Sequence, residues 1–364
     1  MPLPERQLIA RIRRKARARR TVLGIGDDCA ILRIPDGEEA LVTTDFSLEG
    51  VHFRRQWQSP ECIGHRCLAR GLSDIAAMGG SPVAAFLSLA IPRGLSQSWI
   101  DRFFKGLLRL ARRHQVDLAG GDTAQSSTGL LADITVLGSI KKGRALRRSG
   151  ARAGDQIYVT GALGESAAAL KLLSTGKIKK RDVFPKPRIA VGQWLVQNRI
   201  ASACIDISDG LSTDLSHMCE ESGVGAVIDA GAIPLQGAAR TLNDALDLAL
   251  HGGDDYELLF TVPKSKRLLP PRIAGAKITR VGEIVRRRRM ALLRNGKTEN
   301  LVARGWEHFE AKTEEPAPQH LFVYGTLMQS RQPAEVNRIM QRLVKVGSGS
   351  VNGTIRDHHG YPGA

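Results

Sequence analysis

Aspartates stand beside glycine or hydroxyl residues in six short stretches of the chain. One Asp–Gly pair is ordinary in a turn, because Asp accepts hydrogen bonds from its own backbone and Gly adopts positive φ. Six such stretches in a chain of net charge +17 need another explanation, since gathered carboxylates repel one another unless cations neutralise them. The stretches are GIGDDCA (Gly24–Ala30), TTD (Thr43–Asp45), LSD (Leu72–Asp74), GGDT (Gly120–Thr123), DISDG (Asp206–Gly210) and GGDDYE (Gly252–Glu257).

These acidic stretches predict chemistry on phosphates. Carboxylate oxygens without an interleaved His or Cys cluster suit Mg²⁺ rather than zinc or copper. Mg²⁺ is bound by a few carboxylates together with substrate phosphates, and glycine-rich turns let backbone N–H groups approach phosphate closely. The combination indicates a nucleotide and phosphoryl transfer. The chain has no GxxxxGK[ST] run and no HRD or DFG signature, which excludes a P-loop enzyme and a typical protein kinase.

Alternating strands and helices must position these stretches. Ala40–Asp45 predicts a strand that ends in polar residues, Cys62–Met78 predicts a helix, and Pro82–Pro92 predicts a buried strand. Ser98 is the predicted N-cap of a helix whose apolar positions, from Trp99 onwards, follow a 3.6-residue period. Further strands are predicted over Val116–Gly121, Leu130–Ile140, Gln156–Thr160, into Ile205–Gly210, and over Val224–Asp229, Tyr256–Val262 and Ile278–Ile284, with helices over Glu165–Leu173 and Pro187–Asn198.

Length and composition set the domain organisation. A chain of 364 residues with 42% apolar and 24% charged residues is typical of a soluble globular protein with two domains and an appendage. Interleaved strands and helices predict the α/β (α+β) class. Glycine and charge cluster at Gly150–Gly154, and Lys312–Gln319 reads as a linker with two prolines. We therefore predict domains over 1–150 and 151–311, a linker over 312–319 and a small β segment over 320–364.

The chain shows no signal for a membrane or for secretion. No apolar run approaches the roughly 20 residues that a membrane span needs, and the N-terminus has no apolar core of a secretory signal. Five cysteines, an odd number spread along the chain, argue against a disulfide framework. These features predict a cytoplasmic protein without a membrane partner.

The positive charge is concentrated at the N-terminus. Residues 1–20 carry eight Arg or Lys against one Glu, and a second basic run covers Arg286 to Arg289. Such runs are typical of a solvated basic face, and they also suit attraction of anionic substrates or nonspecific nucleic-acid binding. We expect residues 6–20 to form a solvent-facing helix outside the catalytic site.

The acidic stretches and their surroundings resemble the thiamine-monophosphate kinase family. The resemblance covers about residues 1–310 and depends on motifs in that family's order, with GWEHF (Gly305–Phe309) closing the set. It implies a two-domain aminoimidazole ribonucleotide synthetase-like fold with a dimerising N-terminal sheet. The motifs are GIGDDCA, TTDFSLEGVHF (Thr43–Phe53), LSDIAAMGG (Leu72–Gly80), GGDT, RALRRSGARAGD (Arg144–Asp155), IDISDGLSTDL (Ile205–Leu215) and GGDDYELLF (Gly252–Phe260).

The resemblance also implies an activity and its residues. The activity is ATP-dependent phosphorylation of thiamine monophosphate to thiamine diphosphate, with several Mg²⁺ ions, by a homodimer. Asp254 stands where some members have Glu, so its reach is shorter, and Trp306 stands where others have Tyr. The implied Mg²⁺ ligands are Asp28, Thr43, Thr44, Asp45, Asp74, Asp122, Asp206 and Asp209; the implied ATP contacts are Gly121, Asp122, Arg148 and Ser208; and the implied substrate contacts are His52, Asp254 and Trp306.

The chemistry of the acceptor explains why no nucleophile stands out. A phosphate monoester has a second pKa of about 6 and is mostly a dianion at neutral pH, so it needs no general base. The barrier is then repulsion between two anions, together with their alignment, and metal ions and an arginine offset it.

Other functions stay open on the sequence alone. Another ATP-dependent enzyme of the same superfamily would act on a different acceptor. A non-catalytic regulatory protein would keep the fold and bind nucleic acid through its basic N-terminus. Single residues also have ordinary roles: His52 at a strand end, Arg148 as surface charge, Trp306 as a cap on the core. We expect no specific nucleic-acid partner.

The last residues resemble a second family. LFVYGTLM (Leu321–Met328) predicts a strand that runs into a Gly turn, and it is similar to the opening of the gamma-glutamylcyclotransferase-like family. VNGTIRDHHGYPGA (Val351–Ala364) resembles that family's next strand and Tyr-Pro turn. Forty-five residues are near the lower limit for an independent core. We therefore expect a partial domain without cyclotransferase activity.

Overall fold

A computed structural model of the chain describes residues 3–16, 21–25, 29–266, 269–306, 356–358 and 361–363. The chain divides into two units, residues 1–307 and residues 308–364. The candidate residues of the kinase-like motifs all precede residue 307, so the first unit contains them all. Asp28 lies outside the described residues, as does the predicted strand Leu321–Met328.

The first unit opens with a helix and a four-stranded mixed sheet. Helix α1 spans Glu5–Lys15. The strands are β1 (Glu38–Leu48), β2 (Ser81–Pro92), β3 (Asp117–Ser126) and β4 (Leu131–Lys141), in the order β1-β4-β2-β3. β4 is antiparallel to both β1 and β2, whereas β2 and β3 are parallel.

Two helices, α2 (Pro60–Ala77) and α3 (Gln97–Arg113), accompany this sheet. α2 begins at Pro60 because Ser59 caps it, accepting a hydrogen bond from the N–H of Cys62. The two helices cross closely at glycines: a Cβ on Gly64 would lie 2.0 Å from the backbone oxygen of Phe103. α2 also contacts elements of the second sheet described below, so it links the two halves of this unit.

A larger mixed sheet follows in sequence. Its order is β12-β11-β7-β10-β5-β8-β6, with β9 paired to β10. β7 and β11 are parallel, and the other neighbours are antiparallel. The strands are β5 (Gln156–Thr160), β6 (Ala203–Asp206), β7 (Gly225–Asp229), β8 (Leu258–Val262), β9 (Arg272–Ile273), β10 (Ala276–Val285), β11 (Met290–Arg294) and β12 (Lys297–Asn300). The helices are α4 (Glu165–Ser174), α5 (Ile189–Gln197), α6 (Leu211–Ser222) and α7 (Ala245–His251), with 3₁₀ turns at Ala230–Ala232 and Gly237–Thr241.

The predicted interleaving of strands and helices is confirmed, with local corrections. The N-cap of α3 is Ser96 rather than the predicted Ser98, since the Ser96 side chain accepts from the N–H of Trp99. The solvent-facing helix predicted over residues 6–20 corresponds to α1, which ends at Lys15, and residues 17–20 lie outside the described residues. Leu8 and Ile12 on one side of α1 are buried in the core. Both sheets lie in the first unit, so the predicted division near residue 150 stays a prediction.

The second unit is described only at two short strands, β13 (Arg356–His358) and β14 (Tyr361–Gly363), which pair antiparallel.

Among the described residues, no helix combines the length and the apolar character that crossing a bilayer would take.

Candidate active site

Three aspartates from separate elements come together in the first unit. Asp45 lies on β1, Asp74 on α2 and Asp206 at the end of β6. Thr43 donates a hydrogen bond to Asp74, and Ser73 donates to Asp206 Oδ2 at 2.7 Å. Thr43 and Asp45 point to one face of β1 because alternate residues of a strand share a face. We call Asp45, Asp74 and Asp206 the carboxylate group.

The carboxylate group resists ionisation. Burial, and next the charge of Asp74, raise the pKa of Asp45 to about 7. Burial and the charge of Asp74 also raise the pKa of Asp206 to about 7, and burial raises that of Asp74. The charge of Arg148 acts in the opposite direction on the pKa of Asp74 and of Asp206. Arg148 therefore lies close enough to offset part of this negative charge.

A cation would resolve this repulsion, and the donor set fits one. Asp45 Oδ2 is buried and accepts no hydrogen bond within the described part of the chain. Among the described residues, no three His, Cys, Asp or Glu side chains already form a metal-ion cage. A hard divalent cation that takes a few carboxylates and completes its shell with phosphate oxygens needs no such cage. The carboxylate group thus suits a cation that arrives with a phosphate ligand.

The DISDG turn is held by a residue that sequence reasoning did not assign. Asp214, one turn into α6, accepts through Oδ2 from the backbone N–H groups of Ser208, Asp209 and Gly210, at 3.1, 3.2 and 3.0 Å. Burial, followed by the charge of Asp206, raises the pKa of Asp214 well above its ordinary value. Asp214 therefore fixes the backbone of the turn. Asp209, within the turn, contributes negative charge near the carboxylate group, and this charge raises the pKa of Asp45.

Two other predicted segments meet this turn through backbone hydrogen bonds. The N–H of Asp254 donates to the oxygen of Ser208 at 2.7 Å. The N–H of Trp306 donates to the oxygen of Asp209 at 3.0 Å, and Trp306 is half exposed. The structure thus brings the predicted ATP contact Ser208 and two predicted substrate contacts to one turn.

Asp254 is already engaged by three side chains. Its Oδ2 accepts from Arg66 Nη2 at 2.6 Å, and its Oδ1 accepts from Arg70 Nη2 at 3.2 Å and from the Tyr256 hydroxyl at 2.6 Å. Burial opposes ionisation of Asp254, but Arg66 and Arg70 outweigh it and hold the pKa of Asp254 far below its ordinary value. Asp254 has φ +66° and Tyr256 has φ +52°, so the backbone here is left-handed at two residues that are not glycine.

Gly121 and Asp122 lie on β3 beside β2. Gly121 has φ +139°, and a Cβ there would lie 1.9 Å from the backbone oxygen of Leu87, so the close pairing of β2 and β3 requires glycine. Asp122 is exposed, and its Oδ1 accepts from the N–H of Thr123 at 2.8 Å. The described contacts of Asp122 are therefore local and do not place it in the carboxylate group.

Thr44 has a hydrogen-bond partner on the neighbouring strand β4, and His52 has one close in sequence. The Thr44 hydroxyl donates to Asp133 Oδ1 at 2.8 Å, on the face of β1 opposite Thr43 and Asp45. The Nδ1 atom of His52 accepts from the backbone N–H of Leu48 at 3.0 Å, which leaves Nε2 to carry the proton of the neutral ring.

Comparison with known proteins identifies the family. The AIR synthase related protein family matches by its N-terminal domain over residues 26–140 and by its C-terminal domain over residues 152–294. Thiamine-monophosphate kinase of Salmonella typhimurium is 41% identical over 282 residues, which cover 73% of this chain and 85% of that protein. The chain belongs to the thiamine-monophosphate kinase family. The resemblance predicted from the acidic motifs is thereby confirmed.

Solved structures of this family share the fold. Thiamine-monophosphate kinase from Stenotrophomonas maltophilia K279a matches with a TM-score of 0.71 and 36% identity, over 82% of this chain and 98% of that one. A structure named AaThiL complexed with AMPPCP and TMP matches with a TM-score of 0.68 and 30% identity, over 85% of this chain and 99% of that one. The two-domain, mixed α/β, AIR synthase-like fold is therefore confirmed.

The sequence predictions did not include the two arginines that bind Asp254, or Asp214, which holds the DISDG turn. Arg66 and Arg70 are spaced i, i+4 on α2 with Asp74 one turn further, and that spacing was a readable signal for one helix face. Asp214 stands inside the IDISDGLSTDL motif, and its role depends on α6 beginning at Leu211. Leu211, Leu215 and Met218 follow the helical i, i+4, i+7 spacing, so a signal for this helix was present in the sequence and was missed. Tyr256 had no signal of its own.

Proposed function

We propose that this chain transfers the γ-phosphoryl group of ATP to the phosphate of thiamine monophosphate and forms thiamine diphosphate. The observation that supports it most directly is the carboxylate group, with Asp45 Oδ2 buried and unpartnered among the described residues. The named relatives supply the substrates: a family structure of 30% identity holds AMPPCP and TMP.

Mg²⁺ is the cation that this proposal assigns to the site. When bound, Mg²⁺ neutralises phosphate charge and lowers the repulsion between donor and acceptor. Its proposed holders are the carboxylate group together with Asp28, Thr43, Thr44, Asp122 and Asp209. The carboxylate oxygens suit this hard cation. The raised pKa values of Asp45 and Asp206 are those expected of buried metal ligands when no cation is bound.

The chain's own residues position the reactants and supply no general base. The acceptor phosphate is a dianion near neutral pH and attacks without losing a proton. Two unit charges 4 Å apart repel by about 4 kcal/mol at an effective dielectric of 20. Arg148, assigned to ATP with Gly121 and Ser208, already offsets negative charge at Asp74 and Asp206. Alignment and charge compensation then account for the rate.

Asp254 has little hydrogen-bonding capacity left for a substrate. Its Oδ1 accepts two hydrogen bonds and its Oδ2 accepts one, so one acceptor position remains on Oδ2. Arg66 and Arg70 make this cluster positive by one charge overall. We assign Asp254 to a neutral N–H donor of the substrate, with His52 and Trp306 as the other substrate contacts.

The assembly and location complete the proposal. A homodimer through the first sheet is supported by its edge strand β1, where Val42 and Phe46 are 67% and 56% exposed. A cytoplasmic location is supported by five free cysteines, of which four are buried. The absence of a nucleic-acid or membrane partner stays a prediction.

One assay tests the activity. The purified chain, with ATP, Mg²⁺ and thiamine monophosphate, is expected to form thiamine diphosphate and ADP in equal amounts. Asp36→Asn, an exposed loop variant, serves as the control and should match the wild type. ATP consumption that does not respond to thiamine monophosphate, or no thiamine diphosphate, would refute the assignment.

A further inference from the structure

The segment that ends at Trp306 is tied to the start of α6. Gly305 N–H donates to Thr213 Oγ1 at 2.9 Å, and Arg304 N–H donates to Ser212 Oγ at 3.4 Å. With the Trp306–Asp209 hydrogen bond described above, three consecutive backbone donors are satisfied by the DISDG turn and the first turn of α6. A Cβ on Gly305 would lie 2.2 Å from the oxygen of Asp209, so the segment approaches as closely as glycine allows.

A second set of contacts holds the same segment from its side. The guanidinium of Arg304 donates through Nη2 to His251 Nε2 at 2.8 Å and to Asp247 Oδ1 at 2.9 Å. His251 Nδ1 lies 2.8 Å from Ser212 Oγ. His251 is the last residue of α7, the helix that also carries Asp247.

The donor chemistry determines the state of His251. A guanidinium only donates, so Nε2 of His251 must present its lone pair to Arg304. The ring is therefore neutral, its proton is on Nδ1, and Nδ1–H donates to Ser212 Oγ. One imidazole thus connects the Arg304 side chain to the same serine that receives the Arg304 backbone N–H.

We propose that His251 is a positioning residue for substrate binding, which acts through Arg304 to hold Trp306 against the Asp209 turn. Trp306 is 51% exposed, and an aromatic side chain of that exposure beside a binding turn offers a flat surface to a ring of the substrate. This inference rests on the proposed function, in which Trp306 contacts thiamine monophosphate. The segment that carries Trp306 has contacts to α6 and α7 that fix its backbone, and His251 is the residue common to both.

Kinetics of His251→Leu and His251→Gln test the proposal. Leu removes both ring nitrogens, whereas Gln keeps an acceptor for Arg304. In His251→Leu the KM for thiamine monophosphate should rise about tenfold, since misplacing one contact group has effects of this order or larger. The kcat and the KM for ATP should stay within about twofold, and His251→Gln should recover most of the loss.

Arg304→Ala gives the same expectation without touching a buried group, because the Arg304 side chain is 63% exposed. Arg294→Ala, at an exposed position on β11, controls for the loss of one positive charge and should leave both KM values unchanged. If Arg304→Ala and His251→Leu bind thiamine monophosphate as the wild type does, or if they lose kcat and ATP affinity equally, the proposal is wrong.

A readout without substrate separates this proposal from the proposed function. The emission of Trp306 is the difference between the wild type and Trp306→Phe, and its quenching by acrylamide reports how accessible the indole is. His251→Leu and Arg304→Ala should increase this quenching, with an unchanged far-UV circular dichroism spectrum. Unchanged quenching would refute the positioning role of His251 even in an active enzyme, whereas increased quenching in a chain without kinase activity would refute only the assigned reaction.

Discussion

At the scale of single residues, the three buried aspartates of the carboxylate group should destabilise the folded chain as long as no cation neutralises them. Three aspartates that repel one another cost folding free energy until a cation joins them. Asp45→Asn should therefore abolish phosphoryl transfer. In chelator, however, this variant should be more stable than the wild type by about 1–2 kcal/mol in the free energy of unfolding, and should unfold at a higher temperature. The wild type should gain stability when Mg²⁺ and an ATP analogue are added, and the variant should gain less.

Thermal unfolding with and without chelator measures both effects, with Asp36→Asn as the matched control. Near-normal turnover of Asp45→Asn at saturating Mg²⁺ would remove Asp45 from the ligand set. Lower stability of the variant in chelator would show that the carboxylate group is not strained by its own charge.

Asp254 differs from the carboxylate group, because its negative charge stabilises the fold by pairing with two arginines. The Arg66 side chain is only 8% exposed, and removing its partner leaves a buried charge uncompensated. Asp254→Asn should lower the free energy of unfolding by about 2–4 kcal/mol. Asp254→Ala should cost about 1 kcal/mol more, since Asn tolerates the left-handed backbone at φ +66° and Ala does not.

Urea unfolding at neutral pH measures the Asp254 series. Asp244→Asn is the control, because its ion pair with Lys171 is exposed and should matter much less. Equal effects of Asp254→Asn and Asp244→Asn would mean that solvent already screens the Asp254 cluster.

The kinds of residue at the site could be predicted from the sequence, but their partners could not. Asp near glycine or hydroxyl residues is a local signal, and it singled out the stretches that contain Asp45, Asp74, Asp206 and Asp254. The Arg66–Asp254 contact joins residues 188 positions apart, and only the packing of α2 against the GGDD turn creates it. Local spacing therefore predicts which side chains do chemistry and not which side chains hold them.

At the scale of elements, β3 depends on a glycine. Gly121→Ala would drive a methyl group into the Leu87 carbonyl on β2, a backbone atom that can move only with its strand. We expect a loss of about 3 kcal/mol or more in the free energy of unfolding, together with faster hydrogen exchange in β2 and β3. Gly143→Ala is the control, since Gly143 also has positive φ, +67°, but open space at its Cβ position.

Gly143→Ala should cost only about 1 kcal/mol, for the backbone alone. If the two variants are equally stable, the pairing of β2 and β3 does not require glycine at position 121.

The contact between α7 and the Trp306 segment should respond to acid. Burial, and next the charge of Arg304, lower the pKa of His251 below its ordinary value, while Asp247 acts weakly in the other direction. The neutral ring is thus favoured in the folded chain, and its contribution is present at neutral pH and lost as the pH falls through that lowered pKa. Protonated His251 cannot accept from Arg304, and the two cations repel.

Acrylamide quenching of Trp306 should therefore increase in the wild type only once the pH is lowered below the ordinary range of histidine. His251→Gln, which does not titrate, should show no such increase. Identical pH profiles for the two proteins would assign the change to another group.

Elements were predicted best where an apolar pattern and a local cap agree. α2 was expected over Cys62–Met78 and spans Pro60–Ala77, because its buried stripe is dense and Ser59 caps it. α6 was not predicted: it begins at Leu211 directly after the DISDG turn, and Asp214 inside the helix satisfies that turn. α6 carries buried apolar residues at helical spacing, Leu211, Leu215 and Met218, but Gly210 at its N-cap offers no side-chain cap, so only one of the two signals is present.

At the scale of the whole molecule, the candidate site residues and the C-terminal tail belong to different units of the chain. Every candidate site residue lies at or before Trp306, and residues 308–364 form a unit of their own. Deletion of residues 315–364 should therefore leave kcat and both KM values for phosphoryl transfer within about twofold of the full chain, because no contact group is removed. The full chain should release no 5-oxoproline from gamma-glutamyl substrates, since a segment of about 45 residues is near the lower limit for an independent core. Deletion of residues 301–364, which also removes Arg304 and Trp306, is the matched control and should raise the KM for thiamine monophosphate. Release of 5-oxoproline by the full chain, or loss of kinase activity in the shorter deletion, would show that the tail belongs to a working site.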